Sequence, residues 1–565
     1  MRHAHLLGPV TVAALLALGA CGGGGGDDAP AQPPAATGVG IGGTAATGAP
    51  IAGGAVSVTC ASGSGQATTA ANGSYSVTIT SGVAPCLVQV TGGGSTYYSM
   101  VAAGSANPST VNLTPLTTLM TAQVLGAVPT STTLTPDIQA RLTAANIASA
   151  RTALTTALNG RVDISGFDPI TTAFAIGDAT DQRLDQFGDV LAAAGTDLQA
   201  VAAALVANPG SPDPVRNLVA PASATCPSLR SGEYWNIEPR DPQLSIGNSS
   251  LVVVDATALT ATFDTDQPTP TVATLTPVAG EPCRFTIPVS GPAGGGGGGD
   301  EIVVSSSGIF ATRFPEAGTF KGTIGFPRTT LTTAELAGSY NYVGYGQEGA
   351  AFVPINGTVT IAADGTLSNS QNFINLVDDT QPGDATPRRL IQRPDGTYND
   401  RDLTTNVTSV TRWLPHKTAD GVVTIFIIGI DDGLPGVAIL RRQTPVDASA
   451  QIVGTVTPFW EMVYTATGVS AINAQSVEIT SINTTVTPNT VTRIRAGDSR
   501  VDVRAFNAPR TGMLYRALNS CTTGIGGPTL ACAEGIFLPT QGTGFTVVSG
   551  GAPTNGFFSV SVLRP

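Results

Sequence analysis

The feature that most constrains this chain is an alternation of period two that recurs along most of its length, interrupted by glycine and Asn-Gly. In ANGSYSVTI, Tyr75, Val77 and Ile79 alternate with Ser76 and Thr78 just behind Asn72-Gly73. Successive side chains of a strand point to opposite faces, so this pattern lines one face with apolar groups, and Asn-Gly fits a type I′ hairpin turn. Only 12% of the residues are charged, against about 25% in an ordinary soluble domain. Surface polarity must therefore come from Thr, Ser, Asn and Gln, and the expected fold class is mainly β. The 565 residues exceed what one core can organise, and roughly 100 to 200 residues per domain implies a multidomain chain. Beyond the first twenty residues the longest apolar run, Val422 to Ile430, is far short of the roughly 20 residues a bilayer demands and reads as a buried strand.

A formal net charge of -12 lacks the clustered Lys and Arg of a nucleic-acid footprint, which argues against nucleic acid as a partner. It does not favour docking on an anionic membrane either, so membrane association is expected through a lipid. Residues 1–20 have a basic start with Arg2, an apolar centre and small residues before a cut, the anatomy of an export signal. Leu18-Gly19-Ala20-Cys21 resembles the lipobox of bacterial lipoproteins. That resemblance implies a diacylglyceryl group on Cys21, which becomes the mature first residue, and each buried CH₂ of the acyl chains adds about 0.8 kcal/mol of anchoring. With non-acidic Gly22 next, resemblance to Gram-negative lipoproteins implies the outer membrane, with the periplasmic and cell-surface faces both open. An ordinary signal peptide with an incidental cysteine is the alternative. Residues 21–37, with Gly22 to Gly26 and a Pro-rich stretch, read as a flexible tether unable to bury a core.

Setting Cys21 aside for lipid resolves the odd count of seven cysteines and leaves Cys60, Cys86, Cys226, Cys283, Cys521 and Cys532. In an oxidising compartment these six suggest disulfides, for which sequence alone permits 15 pairings. Spacing favours sequential neighbours. Cys60 closes the alternation Val56-Val58-Cys60 and Cys86 opens Cys86-Val88-Val90, so each lies on the apolar face of its strand. A metal reading is poor: no CxxC spacing occurs and His416 is the one histidine beyond the signal. No cofactor is expected.

The order of patterns suggests a β-sandwich over 38–112, a small helical bundle over 113–207, a linker over 208–225 at NPGSPDP, a β domain over 226–332 and a barrel-like region over 333–565 with a split near 446. Gly48-Ala49-Pro50-Ile51-Ala52-Gly53 with Ala55 and Val56, then Gly73-Ser74-Tyr75-Ser76-Val77, resembles the prealbumin-like sandwich of carboxypeptidase regulatory-like domains. By analogy this resemblance implies a glycan role. In the helical part Thr114-Pro115 and Thr135-Pro136 place a cap before a first-turn proline, and Leu116, Leu119, Met120 and Val124 recur at helical spacing. LTPLTTL following the sandwich also resembles other large envelope lipoproteins. Further on, LRSGEYWNIEP at Leu229 and LAGSYNYVGYG at Leu336 form an approximate repeat in which a Leu precedes Gly-x-Tyr. Two or three β units follow Cys226, and barrels and sandwiches both fit.

A search for catalytic motifs finds no Gly-x-Ser-x-Gly, Ser-x-x-Lys, His-Glu-x-x-His or P-loop stretch. His416, beside Pro415, reads as an exposed loop residue. Glu233, Glu238 and Asp241 near Tyr234 and Trp235 read as solvated charges on a strand edge, and Asp395, Asn399, Asp400 and Asp402 as a polar turn that does not match an EF-hand. Tyr340, Tyr342 and Tyr345 are the aromatic group that best fits a ligand platform, with core packing as the competing reading. Trp413 and Trp460 are ambiguous between the two. The sequence thus points to a non-enzymatic, lipid-anchored envelope protein with a glycan or protein partner. A carbohydrate-binding lipoprotein is the first alternative and a hydrolase of unrecognised type the second.

Overall fold

The computed structural model describes residues 38–239, 248–263, 269–287, 300–316, 319–348, 351–373, 380–382, 386–429, 436–539, 541–551 and 556–565. The signal and tether with Cys21, residue Asp241 and the glycine run Gly294–Gly299 lie outside them.

The chain is mainly β and multidomain. It begins with two facing sheets, one of three strands (Ser74–Ile79, Val39–Thr44, Ser109–Thr110) and one of four (Ser64–Thr68, Ala55–Ser62, Val83–Gly92, Ser95–Val101). Alternation puts Ile41, Tyr75, Val77 and Ile79 of one sheet and Val56, Val58, Val88 and Val90 of the other into one core. The Tyr75 hydroxyl donates to the Val111 carbonyl at 2.6 Å. Cys60 and Cys86 stand opposite each other in register and are disulfide-bonded. Gly43 on the central strand lets the chain leaving the edge strand Ser109–Thr110 approach closely, since a Cβ there would stand 2.0 Å from the Val111 carbonyl oxygen.

Helix Pro115–Leu125 starts on a reciprocal cap between Thr114 and Thr117, with Pro115 in its first turn. Leu116, Leu119 and Met120 are fully buried in the same core as the sandwich strands, and so are Leu154 of Ala144–Leu158, Leu184 and Phe187 of Ala179–Ala193 and Val201 of Leu198–Ala207. Sandwich and helices therefore stabilise one another. The stretch read as a linker carries a short helix, Asp213–Leu218, with Val215 in that core. No single helix among the described residues is long and apolar enough to cross a membrane.

Three closed antiparallel barrels follow among the described residues. In each, the strands run up and down around the ring, with a few short strands set off it, and the first pairs with the last. In the first barrel Gly232–Glu238 pairs with Thr319–Pro327, in the second Gly338–Glu348 with Gly436–Arg442, and in the third Val456–Thr465 with Phe557–Leu563. The first ring is completed where Thr271–Thr274 passes through Leu275 directly into Thr276–Pro277, which pairs onward. Closure settles barrel against sandwich, because it leaves no unpaired edge. Cys226–Cys283 and Cys521–Cys532 are also bonded, the latter across the hairpin Cys521–Thr523 and Thr529–Leu530 on the third barrel.

The Leu and Gly-x-Tyr repeat is the opening device of the first two barrels. Tyr234 donates its hydroxyl to the Arg230 carbonyl at 2.9 Å and Tyr340 to the Leu336 carbonyl at 2.7 Å. Each ring is buried and ties the first strand to the segment entering the barrel.

The barrels pack by their outer walls. Phe326 of the first stacks on Phe426 of the second at 3.9 Å and an 8° tilt, and Phe426 meets Phe545 of the third at 6.3 Å. Tyr345 of the second barrel lies 5.4 Å from Phe558 of the third. Arg441, buried at this joint, donates to the Thr543 hydroxyl and the Phe545 carbonyl at 2.7 Å each, and to the Pro539 carbonyl.

Candidate functional site

Burial decides the fate of most residues singled out by chemistry. Tyr340 and Tyr342 share the inner face of the second barrel, and Tyr345 points the other way into the joint, stacked on Phe352 at 4.0 Å. The three hydroxyls therefore do not share one face. Trp413 lies inside the second barrel, and Trp460 sits on the outer wall of the third, buried against the first.

His416 is not in an exposed loop. It belongs to strand Thr408–Lys417 and is 2% exposed, because the outer wall it faces is covered by the first barrel. Its Nδ1 is 3.0 Å from the Pro327 carbonyl, which assigns the proton to Nδ1, and Nε2 has no partner among the described residues. Burial pushes its pKa down to about 4. In the unfolded chain the imidazole titrates near about 6.5. Between these values the unfolded state takes up a proton that the folded state refuses, so stability falls as pH drops from 6.5 to 4, by about 3 kcal/mol in full. Denaturation midpoints at pH 7.5 and pH 4.5 are expected to differ less in His416→Asn, which keeps a donor toward Pro327. An unchanged difference would assign the acid sensitivity elsewhere.

The carboxylates are engaged as well. Glu238 is not a solvated edge charge: it pairs with Lys321 at 2.9 Å inside the first barrel. Glu233 is half exposed and pairs with Arg328 at 2.6 Å. Asp395 sits in the turn and accepts from Arg412 at 2.5 Å, whereas Asn399, Asp400 and Asp402 lie on the following strand, Tyr398–Asp402. Asp400 is buried and accepts from Arg388 at 2.6 Å, so its oxygens already have partners. No group of three or more His, Cys, Asp or Glu side chains able to hold a metal occurs among the described residues.

A broad concavity lies elsewhere. A cleft of about 780 Å³ opens between the sandwich and helix Ala144–Leu158. One wall is Met100 to Ala102 and Pro108 to Val111, at the ends of two strands, and the other is the outward face of the helix around Ala148 and Thr152. Thr152, Thr155 and Thr156 donate their hydroxyls back to the helix carbonyls of Ala148, Arg151 and Thr152, leaving acceptor lone pairs and methyl groups toward the cleft. Arg151 closes one end, donating to the Phe167 carbonyl at 2.9 Å and lying 3.7 Å from Asp168. None of these residues stands out in the sequence, since the cleft joins segments that are distant along the chain. The sole hint is the small and polar face of the helix opposite Leu154 and Leu158.

No known protein family matches the sequence, and no curated protein matches it. Among solved structures it is similar to isotype 1 transferrin binding protein B of serogroup B Neisseria meningitidis, at 11% identity over 56% of this chain and 65% of that one, with a TM-score of 0.18. The match thus spans just under two thirds of the Neisseria chain. It is also similar to a mutant of the vaccine antigen transferrin binding protein B from Haemophilus parasuis, at 9% identity over 59% of this chain and 75% of that one, with a TM-score of 0.16.

Proposed function

We propose that this chain is a lipid-anchored, non-catalytic binding protein of the Gram-negative outer membrane, with the cleft between sandwich and helix as its ligand site. The observation that carries the reading is that cleft, with a volume of about 780 Å³, within the few hundred to ~1,000 Å³ usual for ligand sites. The prealbumin-like character of the sandwich, a resemblance carried by Gly48–Gly53 and Gly73–Val77, belongs to this proposal. The bonded cysteines and the tether at 21–37 fit an exported protein held away from a membrane.

A glycan is the second reading, favoured by the serines and threonines along the cleft, among them Ser105, Ser109, Thr110 and Thr152. Thr152 is exposed and tolerates a larger group. Thr152→Trp is expected to abolish whatever a glycan array detects for the wild type, with the unfolding midpoint unchanged. Binding unaffected by Thr152→Trp would place the ligand outside the cleft.

Anchoring has its own test. Cys21→Ala is expected to move the exported protein from the detergent phase to the aqueous phase on cloud-point partitioning, because without its acyl chains the mature chain loses its membrane hold. Unchanged partitioning would remove the lipid.

A further inference from the structure

The wall of the third barrel reverses the ordinary distribution of polarity. Trp460, Met462 and Tyr464 of its first strand, with Phe558, Val560 and Val562 of its last, face outward into the joint with the other barrels. The inward face of the strands opposite is ionic. Arg493 on Thr490–Arg495 stands directly across from Asp502 on Arg500–Phe506, and Arg500 and Arg504 flank Asp502 at positions of the same parity. The strand Leu514–Arg516 adds Arg516, whose Nη1 lies 3.4 Å from Asp502 Oδ2.

Four guanidiniums thus converge on a single carboxylate. Arg504 donates to Asp502 Oδ2 through Nη2 at 3.1 Å and Nε at 3.3 Å, with its guanidinium 3.7 Å above the Phe537 ring. Arg516 also donates through Nε to the Ala533 carbonyl at 3.0 Å. Among the described residues the remaining two have no carboxylate within ion-pair distance, and the buried Arg500 Nε has no hydrogen-bond partner. Neighbouring acids do not supply the balance. Glu461 is committed to Arg495 at 3.2 Å and to Ser559, and Asp498 lies in the exposed turn, its Oδ1 taken by the Arg500 backbone N–H. Burial, aided by repulsion from Arg504, pushes Arg493 down to about 9, and burial with repulsion from Arg504 and Arg500 pushes Arg516 down to about 10.

Uncompensated guanidiniums in a partly desolvated barrel are costly, and their planar forks match the oxygens of tetrahedral anions two at a time. We propose that the interior of the third barrel is a binding site for a tetrahedral oxyanion, phosphate or sulfate, free or carried on a larger molecule, held by Arg493, Arg500 and Arg504. The site is separate from the sandwich cleft and stands or falls independently of it. Asp502, held by Arg504 and Arg516, offsets part of the positive charge and leaves the rest for the anion.

The test uses purified full-length protein and follows its unfolding midpoint as inorganic phosphate or sulfate replaces chloride at constant ionic strength, with isothermal titration of phosphate alongside. A saturable rise is expected, together with a heat of binding at the same concentrations. Arg500→Gln and Arg493→Gln are each expected to weaken phosphate binding at least tenfold. Arg504→Lys keeps the charge, loses the fork, and is expected to weaken it less than either. Glucose 6-phosphate acting at lower concentration than phosphate would identify a phosphosugar as the carrier, and equal potency would identify the free ion. A rise equal in chloride, a wild type giving no binding heat, or undiminished binding in Arg500→Gln would overturn the proposal.

Discussion

Phe426→Ala is expected to lower the stability of the barrel region by about 3–5 kcal/mol, the range for deleting a fully buried phenyl ring. Phe426 is 0% exposed, and its ring is shared: one face stacks on Phe326 of the first barrel, and Phe545 of the third approaches its side. The cavity would open where three walls meet, and no single barrel can collapse to fill it without moving its own strands. Continuous packing across the joint predicts one cooperative unfolding transition for the barrels in the wild type. In Phe426→Ala that transition is expected to shift down in denaturant and to broaden or divide. Ile425→Ala is the control, because Ile425 is equally buried but faces the interior of the second barrel. It is expected to destabilise without dividing the transition. A loss below about 1 kcal/mol in Phe426→Ala would mean that the ring does not join the barrels.

The difference between these two neighbours shows where sequence reading stops. Period-two alternation identifies strands in all three barrels, but it does not say which face is inside. VVTIFIIGI is apolar on both faces because the second barrel is lined within and covered without. In the third barrel the apolar stripe Trp460-Met462-Tyr464 is the outer wall, the reverse of what a stripe on an isolated barrel would mean. The Gly-x-Tyr repeat marks the openings of the first two barrels because a local hydroxyl-to-carbonyl bond needs those residues in order. The third barrel opens on GTVTPFW without it, so the split near 446 rests instead on the strand-like ending GVAILRR at Gly436. Pro415 makes its neighbour His416 look like a loop residue in sequence, yet a proline needs only a position where its missing N–H is not required. Glu238 finds Lys321 through the pairing of the first strand with the last. Arg493, Arg500, Arg504 and Arg516 are unremarkable one by one and become a cluster only through register. Long-range pairing, which no local pattern encodes, assembles both that cluster and the sandwich cleft.

Asp502→Asn probes that assembly most directly. Asp502 is 5% exposed, and although burial alone would raise its pKa, Arg504, Arg493, Arg516 and Arg500 hold it far below the ordinary carboxylate range. It is therefore ionised wherever the protein is folded at neutral pH. Asparagine keeps the size and removes the charge, so the guanidiniums lose the one anion they share. Breaking a buried charge pair from one side costs about 3–5 kcal/mol, because the partners stay buried and uncompensated. In chloride buffer the unfolding midpoint of Asp502→Asn is expected to fall accordingly. Phosphate should then restore more stability to Asp502→Asn than it adds to the wild type, since the variant carries one more positive charge around the same oxyanion. Salt alone should restore less, as screening acts weakly on partly buried charges. A variant as stable as wild type in chloride would show that Asp502 does not hold the guanidiniums together. A destabilised variant helped equally by chloride and phosphate would mean general charge repulsion rather than a site with the geometry of a tetrahedral anion.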